Sequence, residues 1–225
     1  MRRIDYHTHT SLSHDGTWSP LEMIRCARER GQAVLALTDH VSVSNVEAVL
    51  EALRREREAA LAWSGIEVLI GVEITQVPAA KIAEVAQRAR KAGAELILVH
   101  GETLSEPVEP GTNRAAIECP EVDLLAHPGL LSQRDVELAR RNGTFLELSA
   151  RAGYCLTNGH LVRLAREVGA MSLLLLNTDA HQPDDLISAE HAVRIARGAG
   201  LSEEEAQQVV GENAERLLAR LEGRR

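Results

Sequence analysis

Short apolar runs recur along the chain, and each is followed by apolar residues at helical spacing. The runs are Ile4–His7, Ala33–Thr38, Glu67–Val72, Glu95–Val99, Asp123–Ala126, Thr144–Leu148 and Met171–Asn177. Their length and their Val, Ile and Leu content predict strands buried on both faces. The intervening segments predict helices. Ser19-Pro20-Leu21-Glu22 carries a cap residue, proline at the first helical position and glutamate three after the cap, and this helix should end near Gly31. Further helices are predicted at Val46–Trp63, Pro78–Ala92, Ser132–Asn142, Leu161–Val168, Ala189–Arg197 and Ser202–Leu221, several closed by a glycine. Seven β/α repeats in order predict a parallel sheet with helices outside it, open or closed.

The remaining bulk properties narrow the class. The 225 residues fit one domain spanning 1–225, with no linker, low-complexity tract or repeat to mark a second. Aromatics are only 2%, so the core must be built from aliphatic residues and alanine. A net charge of -8 argues against a broad nucleic-acid face and makes long DNA or RNA an improbable partner. Cys26, Cys119 and Cys155 are scattered and odd in number, which suits a reducing, cytoplasmic setting without disulfides. The first apolar run starts at once and leaves no room for a signal peptide, and no run approaches the ~20 residues of a membrane span, so no membrane partner is expected.

The strand ends carry the candidate chemistry. The first run delivers His7-Thr8-His9, the second Asp39-His40, the third Glu73, the fourth His100, the fifth His127 and the seventh Asp179-Ala180-His181. Six of seven predicted strands thus present a metal-type ligand at the carboxyl end, where β/α barrels place their active sites. Each has an ordinary explanation alone: a solvated histidine, a loop carboxylate, a helix cap. Scattered surface histidines would also decorate helices, yet only His191 clearly does. Imidazole and carboxylate together suit Zn, Mn or Fe better than Ca or Mg alone.

Asp5-Tyr6-His7-Thr8-His9-Thr10, Thr38-Asp39-His40, Gly71-Val72-Glu73, His100, Ala126-His127-Pro128 and Thr178-Asp179-Ala180-His181 resemble, in this order, the motifs of the PHP (polymerase and histidinol phosphatase) family, and in particular its small stand-alone histidinol-phosphatase-like members. The resemblance implies a distorted seven-stranded β/α (TIM-like) barrel with two or three divalent metal ions at the carboxyl ends of the strands. It implies that His7, His9, Glu73 and Asp179 hold one ion and that Glu73, His100 and His127 hold a second. His40 and His181 would hold a third with a residue of the loop Ser11–Gly16, where Asp15 is favoured over His14. Glu73, Asp179 and His181 would be the catalytic members of this set. The implied activity is metal-dependent hydrolysis of a phosphate monoester of a small, histidinol-phosphate-like metabolite, with an activated water attacking phosphorus in line.

Two stretches are long for loops: His100 to Arg114, and Glu147 to His160. Glu102, Asn113, Arg151 and His160 are their candidate substrate contacts, and the Arg151 fork suits a phosphate. Asp5 and Asp39 are read either as carboxylates that orient imidazoles or as strand-end caps. Alternative functions are a phosphodiesterase or exonuclease on short nucleotides, and a non-catalytic metal-binding domain. The second would show lost ligands, and here each core position is filled. Barrel amidohydrolases typically carry a bridging lysine on a strand, whereas Lys81 and Lys91 both fall in one predicted helix.

Overall fold

The computed structural model describes residues 1–224. Its strands are β1 (Arg3–Asp5), β2 (Gln32–Leu37), β3 (His40–Val41), β4 (Glu67–Ile74), β5 (Leu96–His100), β6 (Leu124–Ala126), β7 (Phe145–Ser149) and β8 (Leu174–Asn177). All pair in parallel, in the order β1-β2-β4-β5-β6-β7-β8, with β3 also on β4. Leu37 faces Ile70 and His40 faces Glu73, an unchanged register. β3 therefore continues β2 past a break at Thr38–Asp39, and the ring has seven parallel strands, as the repeats predict.

The ring nearly closes between β8 and β1. One isolated bridge joins Thr8 to Ala180, and His9 N donates to Ala180 O at 2.7 Å. Side chains complete the seam. Tyr6 N donates to Asn177 Oδ1, Thr178 donates through N and Oγ1 to Asp5, and Arg3 reaches Leu176 O at 2.9 Å.

Strand alternation sorts the side chains. Leu35, Leu37, Val68, Ile70, Val72, Ile97, Val99, Leu125, Leu146 and Leu148 face the surrounding helices. Inside the ring lie Ile4, Tyr6, Val34, Ala36, Leu69, Leu96, Leu98, Leu124, Phe145 and Leu175, packed on Ala214, Leu217, Leu218 and Leu221 of the last helix. That helix, α9 (Asn213–Glu222), closes the amino-terminal end of the ring, and Tyr6 OH donates to Ala214 O at 2.7 Å. Further along four of the inner rows the apolar residues give way to Thr8, Thr38, Glu73 and His100, all buried. The functional cluster is thus the polar upper storey of the barrel interior.

The outer helices are α1 (Pro20–Glu29), α2 (Val46–Ala60), α3 (Ile82–Lys91), α4 (Thr112–Glu118), α5 (Gln133–Asn142), α6 (Asn158–Glu167), α7 (Ala189–Gly198) and α8 (Glu203–Gln207). The capping box at Ser19 and Glu22 forms as its spacing predicts. Three expectations are corrected. The stretch to Arg114 is not all loop, because Thr112 opens α4: Gly111 turns the chain at φ 96° and Glu102 Oε1 accepts the backbone N–H groups of Gly111 and Asn113. The stretch to His160 likewise contains β7 residues, a 3₁₀ turn at Tyr154–Thr157 and the start of α6. The helix expected at Ser202–Leu221 is interrupted by a π turn at Gln208–Glu212, which separates the part packed outside the ring from the part that plugs it.

Gly71 occupies an inner position of β4 where a Cβ would lie 2.6 Å from the Leu96 carbonyl oxygen. Gly71→Ala must therefore push β4 from β5, and we expect it to cost about 1–3 kcal/mol, read from the midpoint of urea unfolding.

Candidate metal centre

Glu73 is the hub. It is fully buried on β4, and its Oε1 lies 3.4 Å from His7 Nε2, 3.3 Å from His100 Nδ1 and 3.3 Å from His127 Nε2. Its Oε2 lies 2.8 Å from His40 Nδ1 and 3.5 Å from His9 Nε2. Asp179 faces it, with Oδ1 3.5 Å from His7, 3.2 Å from His9 and 3.5 Å from His181. The histidines and carboxylates expected at the strand ends therefore converge on one buried space.

The loop after β1 adds Asp15. Its Oδ2 lies 3.0 Å from His181 Nε2 and its Oδ1 3.5 Å from His40 Nε2, whereas His14 stays exposed at the mouth with its ring 5.3 Å from that of His40. The loop is folded over by Asp39, which accepts from Thr10 N, Thr10 Oγ1 and Ser13 Oγ. Gly16 is needed where it stands, since a Cβ there would lie 1.9 Å from Thr10 O.

Asp5 and Asp39 thus organise backbone, and their hydrogen bonds go to Arg3, His7 N, Thr178, Thr10 and Ser13. Other groups orient the imidazoles. Glu147 Oε2 lies 2.8 Å from His7 Nδ1, Ser13 Oγ 3.2 Å from His9 Nδ1, Thr75 Oγ1 2.7 Å from His40 Nδ1, and Glu106 Oε1 2.6 Å from His100 Nε2. Fixing one ring nitrogen directs the other. For His7, His9 and His100 that second nitrogen faces Glu73. The one sequence signal for Glu147 is a carboxylate inside the apolar strand FLELS. Glu106 carries none, because the loop alone decides where it lands.

Arg151 is brought to the rim. Its Nη1 donates to Asp179 O at 3.0 Å and meets His181 Nδ1, and its guanidinium lies over the Tyr154 ring. Tyr154 OH donates to Glu106 at 3.0 Å, and its ring stands edge-on to His127 at 4.7 Å. The other three candidate substrate contacts are spent within the fold. Glu102 holds the start of α4, Asn113 bonds Glu102 N and Pro128 O, and His160 Nε2 donates to Leu131 O at 2.7 Å.

Electrostatics fit a cation-binding role. Burial raises the pKa of Glu73, but His7, His100 and His40 outweigh it and hold the carboxyl well below its usual value. Burial lowers the pKa of His100, yet Glu73 and Glu106 raise it to about 9; Glu73 and Asp15 raise that of His40 to about 10 against the same penalty. His7 is raised by Glu147, Glu73 and Asp179 in spite of its burial, while burial and the neighbouring His40 depress His9. The Nε2 atoms of His7 and His9 lie 3.0 Å apart.

Donor atoms facing one another are the mark of a metal pocket. Glu73 Oε1, His100 Nδ1 and His181 Nε2 are buried without a well-directed hydrogen bond, a costly arrangement unless a cation satisfies the lone pairs. Five sets have ligand atoms within 4.8 Å of one another: His7, His9 and Asp179; Glu73, His100 and His127; His9, His40 and His181; His7, His127 and Glu147; and, at the exposed mouth, His14, Asp15 and His40. Among the described residues only Gln76, His127 and Asp179 are non-glycines with positive φ, so two of three strained positions aim cluster side chains.

Metal must displace protons from His40 and His100 at neutral pH. Zinc or manganese affinity is therefore expected to rise between pH 6 and 8, with proton release measurable by calorimetry in buffers of different ionisation enthalpy. Glu147→Gln is expected to weaken that affinity about 10- to 100-fold with the circular dichroism spectrum retained.

Comparison with known proteins shows the family and the fold. The PHP domain matches residues 5–219. An uncharacterized protein of Methanocaldococcus jannaschii is 40% identical over 220 residues, covering 97% of this chain and 100% of its own length. Ribonuclease P protein component 3 of Methanosarcina acetivorans is 26% identical, covering 92% of this chain and 85% of its own. A probable phosphatase of Thermoanaerobacter is also 26% identical, covering 89% and 88%. In structure, the histidinol phosphate phosphatase of Lactococcus lactis, solved with zinc, L-histidinol and phosphate, superimposes with a TM-score of 0.62 at 13% identity over 89% of this chain and 95% of that one, a likeness of fold. The chain belongs to the PHP family and is a phosphoesterase of the hydrolase class.

Proposed function

We propose that the protein hydrolyses the phosphate monoester of a small metabolite, histidinol-phosphate-like in kind, to inorganic phosphate and the free alcohol. The observation that carries this reading is the convergence of six imidazoles with Glu73, Asp179 and Asp15 beneath a single arginine, Arg151. His7, His9, Glu73 and Asp179 would hold one divalent ion; Glu73, His100 and His127 a second; Asp15, His40 and His181 a third. Zn, Mn and Fe all match these donors. Such ions, when bound, neutralise phosphate charge and lower the pKa of water.

The chain's own residues do the rest. Glu147, Ser13, Thr75 and Glu106 hold imidazoles in fixed orientations. Arg151 stands at the rim with its guanidinium braced on Tyr154, placed to donate to a phosphate oxygen. Water then replaces the alcohol on phosphorus: a new P–O bond forms, the ester P–O bond breaks, and the alcohol leaves with a proton. A small substrate is supported by the narrow cleft, whose walls include the acidic Asp15 and Glu106.

A second reading, action on nucleotides or RNA, is favoured by the Ribonuclease P component relatives, which match nearly the whole chain. The overall charge of -8 weighs against long nucleic acid under either reading.

The deciding measurement is phosphate release by metal-loaded protein from a panel of small monoesters, mononucleotides and a short oligonucleotide. Release from a small monoester, abolished in His127→Ala, is the expected result. Arg151→Ala should raise KM about 10- to 100-fold, the worth of a lost charge-assisted hydrogen bond, with a smaller change in kcat. Release confined to the nucleotide substrates would instead establish the second reading.

A further inference from the structure

The cleft over the metal cluster does not end at His100. Gln76 and His100 line both the cleft and a neighbouring cavity of ≈ 160 Å³ between the β4–α3 and β5–α4 loops. Its remaining walls are aliphatic on one side, with Val77, Pro78, Val99 and Val108 prominent, and carry Glu109 and Thr112 on the other. The cavity is prebuilt, since the two loops are joined at two points: Gln76 Nε2 lies 3.4 Å from Pro107 O, and Ala79 N donates to Glu109 Oε2 at 3.0 Å. Gln76 stands at the threshold with φ 54°, a left-handed backbone that a glutamine rarely adopts, and it is exposed.

The arrangement has a direction. Arg151 lines a separate cavity with Asp15, Thr178 and His181. The cleft between has His181 and Asp179 among its residues as well as His100 and Gln76. An ester lying across the cleft with its phosphate toward Arg151 therefore has its alcohol toward Gln76 and the aliphatic cavity. An apolar cavity of about 150 Å³ accommodates one benzene-sized ring, so this one suits a single ring or a short branched alkyl group.

We propose that this cavity is the alcohol subsite of the enzyme, and that the preferred phosphoester carries a compact apolar or aromatic group of that size. The proposal rests on the phosphomonoesterase reading above. A nucleoside, with a sugar and a base, exceeds the space.

The test uses non-hydrolysable probes on the metal-loaded full chain. Benzylphosphonate and methylphosphonate are titrated by calorimetry against the wild type, Val108→Trp and Val77→Phe, with folding of each variant checked by circular dichroism. The wild type is expected to bind benzylphosphonate about tenfold or more tightly than methylphosphonate, a gain of the size apolar pockets give, and either filled variant should collapse that ratio. Equal affinities in the wild type, or a preference that both folded variants leave intact, would overturn the subsite. Phosphate release from benzyl phosphate is measured in parallel. A benzyl preference without hydrolysis removes the phosphatase reading and leaves the cavity standing, whereas hydrolysis without a preference removes the cavity alone.

Discussion

A carboxylate shut away from water must be met by charge or by hydrogen bonds, and Glu73 is met by imidazoles from five places in the chain. That requirement shapes the upper half of the barrel. Glu73 sits on the longest strand, in register with His40 on one side and Leu98 on the other. The strand must be straight and close to its neighbours for the carboxyl to reach the axis, which is why Gly71 beneath it cannot carry a side chain. Four of these imidazoles, those of His7, His9, His40 and His100, are in turn met by a further side chain, so the position of one buried anion is transmitted outward to Glu147, Ser13, Thr75 and Glu106.

This network also explains where the backbone is strained. His127 directly follows β6 and Asp179 lies two residues past β8, and both adopt positive φ; strand alternation would turn His127, next to the inward Ala126, out of the ring. The cost of such a conformation is met by the packing of the surrounding ring. Stability and site geometry are therefore supplied by different storeys of one barrel: aliphatic side chains and the α9 plug below, polar side chains above.

The strand and helix rhythm was legible because a parallel ring buries both faces of its strands, leaving continuous Val, Ile and Leu runs at regular intervals. The cluster was legible because strand ends are fixed points of such a ring, so His7, His40, Glu73, His100, His127 and Asp179 could be aligned without knowing any loop. What was missed depends on loops or on burial. Helix α4 begins with Thr112 and Asn113, weak helix formers whose start is set by a side chain ten residues earlier, Glu102. Glu102, Asn113 and His160 looked like substrate contacts because polar residues in long loops often are, and here they tie those loops together. Glu106 reaches the cluster only through the path of its loop, whereas Arg151, named from the sequence for its guanidinium fork, is brought to the rim.

The seam between β8 and β1 has a further meaning. His7 and His9 stand on one side of it and Asp179 and His181 on the other, and little regular backbone pairing joins the two sides. A cation held between these residues would act as a clasp across the first and last segments of the ring. Occupancy of the site and circular closure of the barrel are then one equilibrium, so the chain ends on either side of the gap gain rigidity from the same ion that serves the chemistry.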